Sequence, residues 1–208
     1  MNSVLQNKKF RLRVTYKKSG VAAWLSQLEL ARALEHAVRR SGLKYAVSQG
    51  YSPHMRISFG PAIGVGIESL SQYFDVILTD YLAPEKCLAA LKDASVPCLE
   101  PISCEYVDNN ASMLLDKLAK YEVLIDAQIK KLKVPKSITI DKKGKSKTIN
   151  VGDYLCGEVK VSNSQVKAML KFSLKSDERG SLNPSIFVDE ICRESGLSDF
   201  VIINFKKL

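Results

Sequence analysis

Phe10-Arg11-Leu12-Arg13-Val14-Thr15-Tyr16 alternates without a break: Phe10, Leu12, Val14 and Tyr16 fall on one side, and Arg11, Arg13 and Thr15 on the other. A period of two marks a strand that buries one face. The stretch therefore reads as the first strand of a sheet, with a basic outer face. Its apolar side needs a cover, and the next residues provide one.

Ser26-Gln27-Leu28-Glu29 has the form of a capping box, in which the Ser26 hydroxyl accepts from the Glu29 amide and the Glu29 carboxylate reaches back. Behind it Leu28, Ala31, Leu34 and Val38 recur at helical spacing to about Arg40, and Gly42 stops the helix. Leu43 to Ser48 and Met55 to Phe59 are short strand candidates around a glycine- and proline-bearing turn. Gln72 to Thr79 is a strong strand, Pro84 opens a second helix to about Ala94, and Leu99 to Val107 returns as a strand. The order β-α-β-(β)-β-α-β predicts an α+β fold, a ferredoxin-like split βαβ plan with an extra hairpin, over residues 1–110.

Residues 111–208 read as a second α+β unit, richer in strand. A short helix is expected at Ala111 to Leu118 and apolar alternation at Tyr121 to Ile125. Strands are expected at Ser137 to Lys142, Lys145 to Ile149, Gly157 to Ser162 and Val166 to Leu174. Asn183-Pro184 is an N-cap and first-turn pair for a helix to Arg193, Gly196 ends it, and Phe200 to Phe205 closes the unit as a strand.

Hydrophobic residues are 46% of the chain and charged ones 25%, the balance of a globular protein and a poor one for a disordered or membrane class. The longest apolar runs fall far below the roughly 20 residues that span a bilayer. Nothing near Met1 has the basic start and apolar region of a secretory signal, so a cytoplasmic protein without membrane partners is expected. Cys87, Cys98, Cys104, Cys156 and Cys192 fit neither a disulfide framework nor the close pairs of zinc and iron–sulfur sites. They are expected to be reduced thiols, with no metal or other cofactor bound.

The formal net charge of +9 is concentrated. Lys8 to Lys18 holds Lys8, Lys9, Arg11, Arg13, Lys17 and Lys18 with no acid, and Gln128 to Asn150 holds eight lysines against Asp141 alone. The rest of the chain is net acidic. Segregated charge makes a patch that attracts RNA or another polyanion, although lysine runs also serve simply to keep loops solvated.

Between Trp24 and Leu78 the chain carries Leu25-Ser26-Gln27-Leu28-Glu29, Ala37-Val38-Arg39-Arg40-Ser41-Gly42-Leu43, Ser48-Gln49-Gly50-Tyr51-Ser52-Pro53-His54, Ile57-Ser58-Phe59 and Gly64-Val65-Gly66-Ile67-Glu68-Ser69. This resembles the radical SAM-linked protein family, a domain of unknown function (2344) found beside or fused to radical S-adenosylmethionine proteins. The resemblance implies a radical SAM protein as partner. Where the family carries His-Leu-Asp this chain has Gln27-Leu28-Glu29, and Gln27 cannot supply a proton.

His54 is one of two histidines, on a loop with Tyr51 and Arg56. Histidine is the natural acid or base near neutral pH, so His54 is the candidate catalytic residue of a metal-independent endoribonuclease, with Arg56 on phosphate. Gly60, Gly64 and Gly66 form neither a GxGxxG nor a P-loop; they read as turn glycines or as a backbone cradle for phosphate. The expected RNA-binding set is Arg11, Arg13, Arg39, Arg40, Tyr51, His54, Arg56, Gly64, Gly66, Lys142, Lys143, Lys145 and Lys147, with the Gln49–Arg56 and Gly64–Ser69 loops on one surface.

The leading functional expectation is an accessory that binds or presents RNA to a radical SAM enzyme, not itself an enzyme. The alternatives are the nuclease and an adaptor whose basic surface meets an acidic protein.

Overall fold

The protein is described by a computed structural model covering residues 9–110, 118–142, 145–177 and 180–208. The chain is of mixed α and β structure and divides into two compact units, Met1–Leu114 and Leu115–Leu208.

The first unit is built on β1 (Phe10–Lys18), with α1 (Gln27–Arg40), β2 (Ile57–Phe59), β3 (Glu68–Leu78), α2 (Pro84–Ala94) and β4 (Leu99–Val107) following. β1 pairs with β3 on one side and β4 on the other, and β2 extends the sheet beyond β3. The strand order is β4-β1-β3-β2, and every neighbouring pair is antiparallel.

Leu12, Val14 and Tyr16 of β1 join Phe74, Val76 and Leu78 of β3 and Leu99 of β4 in one buried cluster with Leu30, Leu34, Val38, Cys87 and Leu91 of the two helices. Both helices thus cover the apolar face that the alternation of β1 requires. The Ser26 capping box is formed in full, and Ser41 ends α1 before Gly42 at φ +72. The inner stripe of α1 is Leu30, Leu34, Ala37 and Val38. Leu28 is exposed and Ala31 half-buried, because two helical stripes share Leu34 and Val38 and spacing alone does not choose between them.

The expected strand at Leu43 to Ser48 is reduced to two isolated bridges, Tyr45 with Leu78 and Val47 with Met55. Buried Met55 anchors this small hairpin, and β2 begins only at Ile57.

In the second unit, β5 (Leu118–Ile125), β9 (Ala168–Asp177) and β11 (Ile202–Lys207) form an antiparallel sheet in the order β11-β5-β9. β8 (Lys160–Asn163) and β10 (Gly180–Ser181) pair with different parts of β9. α3 (Pro184–Glu194) is capped by the Asn183 side chain, which accepts from the Ser185 and Ile186 amides. It buries Phe187, Val188, Ile191 and Cys192, with Phe187 edge-on to Phe172 of β9. β6 (Ser137–Lys142) and β7 (Lys145–Asn150) form a separate two-stranded hairpin. Of the helix expected at Ala111 to Leu118, residues 111–117 lie outside the described residues.

Candidate nucleic-acid interface

The basic face expected on β1 does not meet solvent. Arg11 and Arg13 are only 8% and 5% exposed, and both hold Asp75 of β3. Arg13 lies opposite Asp75 in the β1–β3 register, its Nε 2.8 Å from Oδ1 and its second nitrogen 2.9 Å from Oδ2. Arg11 Nε donates to Oδ2 at 2.9 Å. The Arg13 guanidinium also stands over the Tyr73 ring, 4.9 Å from its centre, and the Asp75 bond holds its pKa above the ordinary arginine value. Buried guanidinium needs an anion, and a carboxylate 62 residues away supplies it. These two arginines are structural, and the outer-face expectation is corrected.

Arg40 is also committed locally, for it donates twice to the Ala94 carbonyl at the end of α2. A cation at a helix C-terminus satisfies an orphan carbonyl and meets the negative end of the helix dipole. Arg39 is exposed beside Glu35, one turn back.

The Gln49–Arg56 loop is the tip of the small hairpin. The Ser48 amide donates to the His54 carbonyl, and the His54 amide donates to Ser48 Oγ. Beyond that clasp Gln49, Gly50, Tyr51, Ser52, Pro53 and His54 are all exposed, as is Arg56. The clasp explains how so polar a loop holds its shape.

The glycine loop lies elsewhere. Arg56 bonds to Ile77 near the far end of β3, whereas Gly66 donates to Ala23 just before β3 begins at Glu68. At about 3.3 Å per residue the two loops are roughly 30 Å apart along the strand. They are anchored toward opposite ends of β3.

Beside Gly66 stands a residue that pattern reading passed over. Trp24 is 72% exposed, and Gly66, at φ +85, lies beside its ring, where a Cβ would make an ordinary van der Waals contact at 3.5 Å. Val21, Leu28 and Val65 are exposed with it. The chain's single tryptophan standing outside the predicted helix was the available signal.

Lys18 is the opposite case. It follows Tyr16 by two on β1, its register partners are Ser69 and Leu99, and it is 1% exposed with no hydrogen-bond partner for Nζ among the described residues. Burial lowers its pKa.

The second basic segment remains at the surface. Lys130, Lys131, Lys133, Lys136 and Lys147 are exposed. The irregular segment leading to β6 is pinned: the Ile129 amide donates to Asn163 Oδ1 at 3.0 Å and its carbonyl accepts from Asn163 Nδ2 at 2.9 Å. The Lys133 amide donates to Ser195 Oγ at 3.0 Å, and the Lys136 carbonyl accepts from Val151. Ile129, Pro135 and Ile138 are buried between the lysines. Lys142 and Lys145 are backbone partners in the β6–β7 register, and Lys143 lies outside the described residues. Lys130, Lys131, Lys133 and Lys136 are thus carried on a backbone fixed by hydrogen bonds and buried apolar anchors.

Burial works against thiolate formation at Cys87, Cys104 and Cys192. All five are free thiols; burial pushes Cys104 up to about 12 and Cys192 to about 11, where the nucleophilic thiolate is scarce. Among the described residues no three His, Cys, Asp or Glu side chains gather as metal ligands, and no helix is long and apolar enough to cross a membrane.

No curated protein matches the chain. Among solved structures it is similar to an unknown protein from Galdieria sulphuraria, at 9% identity, 97% coverage of this chain, 99% of that one and a TM-score of 0.30, a likeness that carries no argument about fold or function. The profile of a bacterial family matches residues 11–184, from the second residue of β1 to the first of α3. With most of both units inside that match, the chain belongs to the family described as "Uncharacterized protein conserved in bacteria (DUF2344)".

Proposed function

We propose that this protein is a non-catalytic accessory that binds RNA through its second unit and presents it to a radical SAM enzyme in the cytoplasm. One observation carries the RNA half: Lys130, Lys131, Lys133 and Lys136 are exposed on a pinned backbone, in a segment whose only acid is Asp141. A lysine run kept only for solubility needs no such anchoring. Fixed ammonium groups exchange condensed counterions for phosphate at little ordering cost. The radical SAM half rests on the family resemblance of Trp24 to Leu78.

The strand order β4-β1-β3-β2 and its two covering helices support a ferredoxin-like split βαβ reading of the first unit. Its clasped tip, with Tyr51, His54 and Arg56 exposed, serves as a secondary RNA contact.

Crosslinking the full chain in cells, followed by sequencing of bound RNA and mass spectrometry of bound proteins, tests the reading. RNA together with a radical SAM protein is the expected recovery. An acidic protein without RNA would favour the adaptor. RNA cut by the purified chain, with cutting lost in His54→Ala, would favour the endoribonuclease.

A further inference from the structure

The second unit has charge but no platform for stacking. Residues 126–153 contain no aromatic side chain. Elsewhere in the unit Phe172, Phe187 and Phe205 are buried, and Tyr121, Tyr154 and Phe200 are half-buried. Tyr121, Phe172, Phe187 and Phe205 are further engaged with one another through ring contacts. Proteins that hold single strands combine a basic groove with exposed rings on which bases stack, each worth roughly 1–3 kcal/mol. Among the described residues of this unit the basic component is present without a fully exposed ring beside it.

Fixed cations without rings suit a ligand whose phosphates are themselves fixed in space. A duplex is a ligand of that kind. The β6–β7 hairpin adds a second feature: its register pairs Ser137 with Asn150, Thr139 with Thr148 and Asp141 with Ser146, which places these polar groups on one face. All six are exposed, and the Thr139 and Thr148 hydroxyls lie 3.1 Å apart. A strand of six residues makes this a polar strip of roughly 20 Å. The other face carries Ile138, buried at 2% exposure, which seats the hairpin and leaves the hydroxyl strip outward.

A-form RNA displays its 2′-hydroxyls in a wide, shallow minor groove, and proteins that read it by shape use hydroxyl and phosphate contacts. From these observations we infer that the ligand of the second unit is double-stranded RNA, its phosphates held by Lys130, Lys131, Lys133 and Lys136 and its 2′-hydroxyls by the strip through Thr139 and Thr148. Asp141, which accepts from Ser146, sits in the strip as a partner for hydroxyl donors and a deterrent to phosphate. This inference rests on the RNA-binding reading above and specifies the class of RNA.

Fluorescence anisotropy of the full chain with a 20-base-pair RNA duplex, each of its unstructured single strands and the DNA duplex of the same sequence tests it over a range of salt. The RNA duplex is expected to bind at least about tenfold tighter than either strand. Lys131→Gln/Lys133→Gln/Lys136→Gln is expected to flatten the salt slope by roughly 0.7–0.9 per lysine removed. Thr139→Val/Thr148→Val is expected to bring the RNA and DNA duplexes to similar affinity. Both valines suit a strand, and circular dichroism of each variant verifies folding. A single strand bound as tightly as the duplex would overturn this inference and leave the RNA reading standing. Equal binding of the two duplexes by the parent chain would overturn the 2′-hydroxyl contact. Absence of binding to every nucleic acid at low salt would overturn the RNA reading itself.

Discussion

Arg13 and Asp75 are cross-strand partners whose guanidinium and carboxylate meet through two hydrogen bonds, 2.8 and 2.9 Å long, in the sheet of the first unit. Arg11 shares the same carboxylate, so Asp75 compensates two buried cations at once. Removing the carboxylate takes the shared anion from both guanidinium groups.

Asp75→Ala is therefore expected to destabilise the protein by about 3–5 kcal/mol, the range for an uncompensated buried charge. Arg13→Ala should cost less, because Arg11 still pairs with Asp75. Urea unfolding measures both, and equal costs would show that the carboxylate does not serve the two arginines jointly.

Lys18→Met is expected to stabilise the protein by about 1–3 kcal/mol, since a buried amine with no hydrogen-bond partner among the described residues is exchanged for an apolar side chain of similar length. Burial lowers the Lys18 pKa below the ordinary 10.5. Between the lowered value and 10.5 the unfolded chain holds the extra proton, so the parent chain gains stability relative to Lys18→Met as pH rises through that window. The advantage of methionine is thus largest at neutral pH and declines toward pH 10.5. An advantage independent of pH would assign the effect to packing instead of charge.

Ser26→Ala removes the side-chain half of the α1 capping box and is expected to cost about 1 kcal/mol. RNA affinity should not change, because the Ser26 hydroxyl is already committed to Glu29. A loss of affinity in a folded variant would turn this local motif into a functional one.

Arg56→Ala should lower the RNA salt slope by roughly 0.7–0.9 if the hairpin tip touches a phosphate. An unchanged slope confines binding to the second unit. Gly66→Ala, in contrast, should cost about 1–2 kcal/mol for the left-handed backbone alone and leave RNA binding intact.

Local signals were legible in the sequence. The Ser26–Glu29 box, Pro84 at the start of α2 and the Asn183-Pro184 cap each act within a few residues, and each forms as its spacing predicts. The alternation of β1 was equally clear, and extending its apolar parity by one step reaches Lys18. What alternation does not carry is the identity of the neighbour. The fate of Arg11 and Arg13 depends on register with a strand more than 60 residues away, which brings Asp75 opposite Arg13. Separation of the two loops likewise follows from the antiparallel run of β3, since both flank β2 in sequence. The lysine segment was visible as charge, whereas its rigidity comes from Asn163 and Ser195, distant residues that composition does not connect to it.

Trp24 has an optical consequence. It is the chain's one tryptophan, and its indole already stands mostly in water when the protein is folded. Its emission should therefore be red-shifted in the native state and shift little further on denaturation, while remaining open to iodide quenching throughout. Fluorescence of this protein reports on the turn before α1 and on whatever comes to cover it, more than on the state of the core.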